Sequence, residues 1–465
     1  MMINQEILRE YDIRGIFQKS LTLEDVKNIS YKLATIIRET NDHKIIIGHD
    51  GRASSLEIKN TLIENFLNFG IDVYDISLIP TPISYFANKY FQILNLIMIT
   101  GSHNSKEYNG LKMIIEGKPF FGDKIKSLNQ IANCKKNDVT GNLYFKNPVE
   151  PYTKEILNRF KDINKLKIVW DPGNGAISPI IHRVVKTIGG NNIILNRSID
   201  STFPNHHPDP TIKKNIIQIS DYVKNHSFDL GISFDGDGDR VGIIDNNGEL
   251  VYSDIILLLL VLDLYEEKKD ITAVADVKCS KVLFDTLKDN GINILMSKTG
   301  HSLIKEMIIN ENADIAGEMS GHIFYKYQYF GYDDAIYASL KIINILSKSD
   351  QKLSEMIEPY IKSSSTPEIK LHCDEKDKFQ ILSNIIDEIK TTYTSEVDII
   401  NIDGVRVESK DFWFLIRASN TQNCLVFRLE HFNKENFKKE INKLIKFFEN
   451  YNLDLSELTS FNNTI

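Results

Sequence analysis

The feature of this sequence that most constrains its fold is a repeated alternation of short apolar runs with segments of helical spacing. Through the first three quarters of the 465 residues, apolar runs of strand length end in polar or glycine-containing loops, as at Lys44–Gly48, Leu94–Thr100 and Lys167–Trp170. A helix-spaced segment is expected after each loop. This alternation predicts parallel α/β architecture, in which ligands gather in loops beyond the carboxyl ends of strands.

The last hundred residues show a different pattern. Phe412–Arg417 and Leu425–Glu430 read as strands, and Lys434–Asn450 has the apolar spacing of a helix with one buried face. They predict a separate α+β domain. At roughly 150 residues per domain, the chain length predicts three or four domains. Proline-containing or polar segments near 147–151, 246–248 and 362–367 indicate the boundaries.

Composition excludes several classes of protein. The chain carries 63 acidic and 55 basic residues, a formal charge of −8, and 42% hydrophobic residues, which excludes general disorder and gives no reason to expect a nucleic acid or an anionic membrane as partner. The longest apolar run, Ile255–Leu262, is shorter than the roughly 20 residues of a membrane span. The first residues are acidic where a secretory signal would be apolar, so a soluble cytoplasmic protein is expected.

The cysteines give no sign of a metal or disulfide framework. They are far apart in sequence and form no C-x-x-C pair, which disfavours both zinc binding and a set of disulfides. Reduced thiols with structural roles are expected. The four are Cys134, Cys279, Cys373 and Cys424.

A serine follows the second of the strand-like runs, in the loop Thr100–Asn104. A hydroxyl on a polar loop directly after a buried strand can meet a substrate without movement of the strand, so Ser102 is a candidate nucleophile or phosphoryl carrier. An ordinary turn serine bonded to its own backbone is the alternative. The loop does not satisfy G-x-S-x-G, so a hydrolase nucleophile elbow is not supported.

The segment Asp235–Arg240 alternates three aspartates with two glycines. Alternate carboxylates project to the same side of an extended chain, and the glycines allow it to curl around a small ion. Like charges this close repel unless a cation lies among them, and oxygen-only ligands favour Mg²⁺ or Ca²⁺. Arg240 stands where an EF-hand needs glycine, and Gly242 comes one residue late for a dinucleotide fingerprint. The pattern favours a metal site over an acidic surface turn.

Two further groups of residues are less specific. In Gly317–His322, with Lys298–His301 upstream, the Glu, Ser and His side chains suit recognition of sugar hydroxyls, and a helix-starting turn is the alternative. In Arg417–Thr421, guanidinium, hydroxyl and amide donors form a candidate anion cradle, and an N-capping turn is the alternative. Taken together, a carrier serine, a metal cluster, a sugar-recognition loop and a phosphate clamp indicate phosphoryl transfer on a sugar phosphate.

These segments resemble the α-D-phosphohexomutase family, most of all its bacterial phosphomannomutase/phosphoglucomutase branch. The motifs Tyr11–Gly15, TGSHN, Phe203–Pro210, DGDGDR, GEMSGH and RASNT occur in the family's order along nearly the whole chain. The resemblance implies three α/β mixed-sheet domains and a C-terminal α+β domain around a central active-site cleft. The implied domains are 1–149 with the phosphoserine loop, 150–248 with the metal-binding loop, 249–364 with the sugar-recognition loop and 365–465 with the phosphate-binding loop.

The resemblance also implies the reaction and a role for each residue. It implies interconversion of hexose 1-phosphate and hexose 6-phosphate, of mannose or glucose or both, through a phosphoserine and a hexose 1,6-bisphosphate that is also the activator. One Mg²⁺ per chain is implied, held by Asp235, Asp237, Asp239 and the phosphoserine at Ser102. The resemblance places four residues around the transferring phosphoryl group, namely Arg14, His103, Lys112 and Arg240. It implies that Lys112 is the general acid/base. Implied contacts to the sugar or its second phosphate are Lys278, His301, Glu318, Ser320, His322, Arg417, Ser419, Asn420 and Thr421.

Two alternatives to this function stay open. A sister mutase acting on glucosamine phosphate shares the whole apparatus, and a non-catalytic sugar-phosphate sensor would keep the fold, although intact Ser102 and Lys112 argue against it. A nucleotide-dependent kinase is disfavoured because the sequence has no P-loop motif. Gln422-Asn423 stand where the family commonly has Glu-Pro after RASNT, which bears on the geometry of that loop's exit. A phosphosugar is the expected partner, and the chain is expected to be a monomer or a weak homodimer.

Overall fold

The computed structural model describes residues 2–132, 139–160, 162–163, 165–393, 397–419 and 422–465. The helices are α1 (Leu23–Arg38), α2 (Ser55–Asn68), α3 (Thr81–Tyr90), α4 (Asp123–Lys126), α5 (Val149–Leu157), α6 (Ser178–Ile188), α7 (Ile217–His226), α8 (Ser253–Glu267), α9 (Lys281–Asp289), α10 (His301–Asn310), α11 (Ala335–Ser347), α12 (Leu353–Ile357), α13 (Lys378–Thr392), α14 (Lys434–Phe448) and α15 (Ser456–Thr464). The strands are β1 (Ile13–Ile16), β2 (Lys44–His49), β3 (Asp72–Leu78), β4 (Leu96–Ile99), β5 (Tyr108–Ile115), β6 (Lys118–Pro119), β7 (Leu143–Phe145), β8 (Lys167–Asp171), β9 (Asn191–Ile194), β10 (Leu230–Phe234), β11 (Val241–Ile244), β12 (Leu250–Val251), β13 (Thr272–Asp276), β14 (Asn293–Ser297), β15 (Ile315–Gly317), β16 (Ile323–Tyr325), β17 (Ser364–Ser365), β18 (Ile369–His372), β19 (Asp398–Ile400), β20 (Val405–Glu408), β21 (Phe412–Ala418) and β22 (Cys424–His431).

Within the described residues the strands form four sheets, of seven, five, four and six strands. The first has the order β1-β5-β4-β2-β3-β7, with β6 on β5. It is mixed, because β2 runs parallel to β3 and β4 whereas β4 and β5 are antiparallel. The predicted α/β fold class, with a C-terminal α+β domain, is confirmed.

The prediction of a helix after Leu94–Thr100 is wrong. The polar loop leads into β5, which returns beside β4 with Ile99 opposite Leu111. Most of β5 is buried and both of its edges are hydrogen-bonded, to β4 and to β1. A strand buried on both faces lacks the alternation of polar and apolar residues that marks a half-exposed strand, so its pattern is hard to distinguish from that of a helix.

The second sheet has the order β12-β11-β10-β8-β9. Strand β10 is parallel to β8 and antiparallel to β11, and the aspartate-rich segment joins β10 to β11. Its core includes Trp170, whose ring stacks on that of Phe234. The serine loop and the aspartate loop therefore have the same form, because each follows a buried strand and leads into its antiparallel neighbour.

The chain forms two compact units. The first comprises Met1–Val274 with Gly300–Met356, and the second comprises Ala275–Thr299 with Ile357–Ile465. The first unit contains both sheets described above and the antiparallel pair β15–β16. The apolar run Ile255–Leu262 lies in α8, and nearly every residue of it is buried, which explains why it has no polar face. No helix in the described part of the chain combines the length and apolarity that crossing a bilayer requires.

The second unit is built around the fourth sheet, of order β17-β22-β21-β20-β19 with β18 on β22. All of its strand pairs are antiparallel. The predicted helix at Lys434–Asn450 is α14, and the apolar residues of α13 and α14 pack on the sheet in one core. Cys279, Cys373 and Cys424 form no disulfide among the described residues, and Cys134 lies outside them.

Candidate active site

Ser102 lies in the loop between β4 and β5 and is 2% exposed. Its backbone has a φ of +49°, a left-handed conformation that is uncommon outside glycine and occurs at functional sites where the surroundings hold it. The Ser102 hydroxyl donates to Asp235 Oδ2 at 3.1 Å, and His103 Nδ1 lies 3.1 Å from the Ser102 Oγ atom. The structure thus brings the predicted carrier serine into contact with the predicted metal loop, whereas a simple turn serine would bond only its own loop.

The three aspartates of the loop converge within the first unit. All three are fully buried, and each offers an oxygen within 4.8 Å of the others. Asp235 Oδ1 accepts the backbone N–H groups of Gly238, Asp239 and Arg240 at 2.9, 3.1 and 3.2 Å, which curls the loop around that carboxylate. A Cβ atom at Gly236 would lie 2.7 Å from the Ser102 carbonyl oxygen, so the close approach of the two loops requires glycine there.

The charges of the triad are only partly compensated by the chain. Burial and the neighbouring carboxylates of Asp237 and Asp239 hold the pKa of Asp235 well above its ordinary value. Lys112 Nζ donates to Asp237 Oδ2 at 2.8 Å and also to Asp239. Asp237 Oδ1 is buried and has no hydrogen-bond partner among the described residues. An orphaned buried carboxylate oxygen within a cluster of oxygen ligands fits a divalent cation.

The basic residues predicted near the serine lie close to the two loops. Arg14, on β1, donates to Asn104 Oδ1 at 2.6 Å and pairs with Asp12. Arg240 Nε lies 4.0 Å from Asp235 Oδ2. The Nε atoms of both arginines are buried without a hydrogen-bond acceptor among the described residues. Both side chains therefore keep a donor that an anionic group could use.

Lys112 and His103 differ in charge, because the lysine is positive and the histidine is neutral. Burial lowers the pKa of Lys112, but the carboxylates of Asp237 and Asp239 outweigh it and raise the pKa above its ordinary value, so this lysine is charged. Burial, together with the positive charge of Arg240, holds the pKa of His103 well below its ordinary value. The group next to the Ser102 hydroxyl is therefore a neutral imidazole, whose Nδ1 faces the serine oxygen at 3.1 Å.

Of the predicted sugar-recognition residues, Glu318, Ser320 and His322 lie in the turn between β15 and β16, whereas His301 is the first residue of α10. His322 Nδ1 lies 2.7 Å from Glu318 Oε2 and 3.1 Å from Ser320 Oγ, and its Nε2 lies 3.2 Å from Asp239 Oδ1. Burial lowers the pKa of His322, but Asp239 and Glu318 outweigh it and raise the pKa to about 9. A protonated His322 thus connects this turn to the aspartate loop.

Asp333 and Lys305 were not predicted from the sequence, although they border the same histidines. Asp333 is fully buried, and its Oδ1 lies 2.8 Å from Lys305 Nζ. Its Oδ2 lies 3.8 Å from Nδ1 of the predicted His301 and 4.0 Å from His322 Nε2. Asp239, His322 and Asp333 are close enough to share an ion. The Lys305 ammonium and the protonated His322 already supply positive charge there, so we do not assign this second cluster to a metal.

The remaining predicted residues belong to the second unit. Arg417 Nε donates to Asp403 Oδ2 at 2.8 Å, and Lys278 pairs with Glu368 at 2.7 Å. Ser419 follows β21, and its hydroxyl accepts the backbone N–H of Gln422 at 3.1 Å. The loop that holds Ser419 joins antiparallel strands rather than starting a helix. Asn420 and Thr421 lie outside the described residues.

A buried lysine binds the backbone at the C-terminal end of this loop. Lys378, at the start of α13, donates to the carbonyl oxygens of Ser419 and Gln422 at 2.9 and 3.3 Å. Its ammonium also binds the Glu375 carboxylate at 2.9 Å. The Ser419 hydroxyl and the Lys378 ammonium together fix the backbone where the sequence departs from Glu-Pro.

Comparison with known proteins identifies the family. The four domain descriptions of one family match in order: "Phosphoglucomutase/phosphomannomutase, alpha/beta/alpha domain I" at residues 5–138, domain II at 150–248, domain III at 252–363 and the C-terminal domain at 368–446. The phosphomannomutase/phosphoglucomutase of Pseudomonas syringae pv. tomato is 37% identical over 427 residues, which cover 91% of each chain. The phosphoglucomutase of Neisseria meningitidis serogroup A is 37% identical over 435 residues, 92% of this chain and 93% of that one.

A solved structure agrees with these matches. The crystal structure of a phosphoglucomutase/phosphomannomutase family protein from Burkholderia thailandensis has a TM-score of 0.88 and 30% identity, over 97% of this chain and 100% of that one. The serine loop, the aspartate loop and the Glu-Ser-His turn thus lie in a chain that matches this family from its first domain to its last. On these grounds the protein belongs to the phosphoglucomutase/phosphomannomutase family.

Proposed function

We propose that this protein is a phosphohexomutase that interconverts hexose 1-phosphate and hexose 6-phosphate, of mannose or glucose or both. The reaction passes through a phosphoserine at Ser102 and a hexose 1,6-bisphosphate. One observation carries the proposal, namely that the Ser102 hydroxyl lies 3.1 Å from the carboxylate of Asp235 in a fully buried acidic triad. The names of the curated relatives support mannose and glucose as the sugars.

Phosphoryl transfer in this site exchanges one P–O bond for another. In the first half-reaction the bond between phosphorus and Ser102 Oγ breaks, a bond from phosphorus to a sugar oxygen forms, and the proton of that sugar hydroxyl is transferred in net to Ser102 Oγ. Lys112 is proposed as the general acid/base of this proton transfer, because a cation bound by Asp237 and Asp239 would offset the carboxylates that raise its pKa. His103, whose Nδ1 lies 3.1 Å from Ser102 Oγ, is proposed to orient that oxygen. In the second half-reaction the other phosphate returns to Ser102, so no phosphate is consumed.

The unpartnered donors of the site are suited to the phosphoryl oxygens. Arg14 and Arg240 each keep a buried Nε–H for which the described part of the chain provides no acceptor. Charge-assisted hydrogen bonds from such donors stabilise negative charge that develops on the transferring group. Glu318, Ser320 and His322 are proposed to bind sugar hydroxyls, with His301 beside them. The proposed ligands of the phosphate that is not being transferred are Lys278, Arg417, Ser419, Asn420 and Thr421.

We propose Mg²⁺ as the ion of the acidic triad, held by Asp235, Asp237, Asp239 and an oxygen of the phosphoserine. The ligands are all oxygens, which suits a hard cation, and Asp237 Oδ1 is a ligand atom with no hydrogen-bond partner in the part of the chain that the structure describes. When bound, Mg²⁺ neutralises negative charge on the transferring phosphoryl group.

A coupled assay tests the proposed reaction. Mannose 1-phosphate, glucose 1-phosphate and glucosamine 1-phosphate are each supplied with Mg²⁺ and a catalytic trace of hexose 1,6-bisphosphate. We expect turnover of the mannose or glucose substrate or both. Turnover of the glucosamine substrate alone would instead identify the sister mutase, and no turnover of any of the three by a folded protein would favour a sensor.

A substitution tests the phosphoserine. Ser102→Ala is expected to abolish turnover while circular dichroism and the melting temperature stay close to those of the unmodified protein, because only the hydroxyl is lost. Ser105→Ala, in the same loop, is the matched control and is expected to keep full activity. Full activity of Ser102→Ala would end the carrier proposal.

A further inference from the structure

We propose that Arg52 is a positioning residue for the phosphoryl carrier, and that the ring of Phe203 covers its guanidinium. The inference rests on the proposed role of Ser102. Arg52 belongs to the loop that follows β2. Phe203 begins the segment Phe203–Pro210, which has no role in the proposed reaction. Both residues lie in the first unit with the serine loop and the aspartate loop.

The Arg52 guanidinium binds the serine loop along its whole length. Its Nη2 donates to the carbonyl oxygens of Ser102 and Asn104, both at 2.7 Å. Its Nη1 donates to those of Ser105 and Tyr108 at 2.6 and 3.1 Å. Three carbonyls of the loop and that of Tyr108, the first residue of β5, therefore converge on a single rigid, planar group.

Asp50 completes the arrangement from the other side. Its Oδ2 accepts the fifth guanidinium hydrogen, from Arg52 Nε at 3.1 Å, so that all five N–H groups of Arg52 are used. The same oxygen accepts the backbone N–H of Gly101 at 3.2 Å. A Cβ atom at Gly101 would lie 2.6 Å from Arg52 Cζ, so the guanidinium lies directly against the residue before Ser102.

Phe203 packs on the guanidinium and on the aspartate loop at once. The Arg52 Cζ atom lies 5.3 Å from the centre of the Phe203 ring, within the range of a cation–π contact. A Cβ atom at Gly236 would lie 3.6 Å from the tip of the same ring and 2.7 Å from the Ser102 carbonyl oxygen. Arg52 is 4% exposed. The ring thus helps to keep water from the carbonyl–guanidinium bonds at the place where the two loops meet.

This arrangement accounts for the unusual backbone of Ser102. A left-handed non-glycine residue persists only where its surroundings determine it, and here the Ser102 carbonyl is bound by Arg52. The position of the carbonyl fixes the position of the side chain that carries the phosphoryl group. Lysine at position 52 would keep the charge, but its single ammonium has three hydrogens and no planar fork, so it cannot bind all four carbonyls.

Kinetics of the full-length protein with Mg²⁺ test the proposal. We expect Arg52→Lys to lower kcat by about 100-fold with the KM for hexose 1-phosphate changed less than about threefold, because a carrier displaced by about 1 Å reacts slowly with a substrate that still binds. The matched control is Arg183→Lys, at an exposed position of α6, which should leave both kinetic constants unchanged.

Chemical rescue separates positioning from general stability. Millimolar guanidinium chloride is expected to restore part of the kcat of Arg52→Ala, whereas the same concentration of sodium chloride is not. Phe203→Leu should lower kcat and Phe203→Tyr, which keeps the ring, should restore it. If Arg52→Ala does not fold, Arg52→Lys and the two Phe203 variants decide the matter.

Two results would overturn the proposal. One is a wild-type kcat for Arg52→Lys, and the other is a loss of activity that matches the unfolded fraction of each variant at the assay temperature. Either result in an otherwise active protein would leave the proposed mutase reaction intact. An inactive unmodified protein would instead refute the proposed function itself.

Discussion

At the scale of single residues, Asp237 has one carboxylate oxygen bound by the chain and one that is available to the proposed ion. Its Oδ2 accepts hydrogen bonds from Thr81 at 2.6 Å and Lys112 at 2.8 Å, while its Oδ1 is buried and none of the described residues donates to it. We expect Asp237→Asn to raise the Mg²⁺ concentration for half-maximal rate by about tenfold or more, and to lower the rate, since it removes a charged ligand. A Mg²⁺ titration of activity measures both effects. Asp221→Asn, at an exposed position of α7, is the control, and an unchanged titration would contradict the assignment.

The buried pair of Asp333 and Lys305 leads to a prediction about stability. Removal of one partner of a buried ion pair leaves the other charge uncompensated, so Asp333→Asn is expected to lower the free energy of unfolding by about 3 kcal/mol. Lys305→Met in the same chain removes that charge, and the double variant should recover part of the loss. Urea unfolding of both single variants and the double variant measures the coupling. Additive losses would show that the pair at 2.8 Å contributes nothing as a pair.

At the scale of elements, one carboxylate joins two helices of the first unit. Asp334 caps the N-terminus of α11 by accepting the backbone N–H groups of Ile336 and Tyr337, both at 3.0 Å. It also accepts the hydroxyls of Tyr152, on α5, at 3.0 Å and of Tyr329 at 2.7 Å. Burial raises the pKa of Asp334 from 3.8 to about 6, and the four donors oppose that rise.

This raised pKa predicts a pH dependence of stability. Because the folded chain binds the proton of Asp334 more tightly than the unfolded chain, the stabilising contribution is complete below about pH 4 and is lost as the pH rises through about 6. The loss is on the order of 3 kcal/mol. It should show as a fall in the unfolding free energy of the unmodified protein relative to Asp334→Asn between pH 4 and pH 8. A difference that does not change with pH would contradict this prediction.

The elements also show which parts of the fold a sequence can predict. The clustering of carboxylates in the aspartate loop was predictable because the aspartates and glycines are consecutive in DGDGDR, and α14 was predictable because its apolar spacing is regular. Strand β5 was not, since a strand buried on both faces has no alternating pattern. Asp333 was missed because it belongs to no ligand motif. Its signal is a pair of aspartates after an aromatic run, of which the second begins a helix and the first is left to face the histidines.

At the scale of the whole molecule, the two units can be observed separately. The chain has two tryptophans, Trp170 in the first unit and Trp413 in the second, and both are fully buried. The acidic triad lies in the first unit, so Mg²⁺ should raise the unfolding midpoint reported by Trp170 more than that reported by Trp413. At about 100 times the dissociation constant, the added stability is about 2.7 kcal/mol.

Variants with a single tryptophan make this measurement. Trp413→Phe leaves only Trp170, and Trp170→Phe leaves only Trp413, and each is unfolded with and without Mg²⁺ so that its own loss of stability cancels. Equal shifts in both variants would show that the two units unfold as one.

The order of the motifs along the chain was sufficient to recognise the family, because collinear motifs over most of a chain are specific. It could not show which side chains from distant segments meet. The contacts of Arg52 with four carbonyls, and of Asp239 with His322, depend on how three separate loops pack, and no single segment contains that information. These contacts required the structure.

The adjacent aspartates 333 and 334 connect the candidate site to residues that lie outside it, so substitutions at those outer residues are expected to reduce activity. One borders the histidines of the site, and the next is anchored by tyrosine hydroxyls inside a cluster of aromatic rings. A substitution among those rings that moves the anchor also moves its neighbour on the chain. A survey of inactivating mutations should therefore find a second group of damaging positions among tyrosines that never touch a sugar.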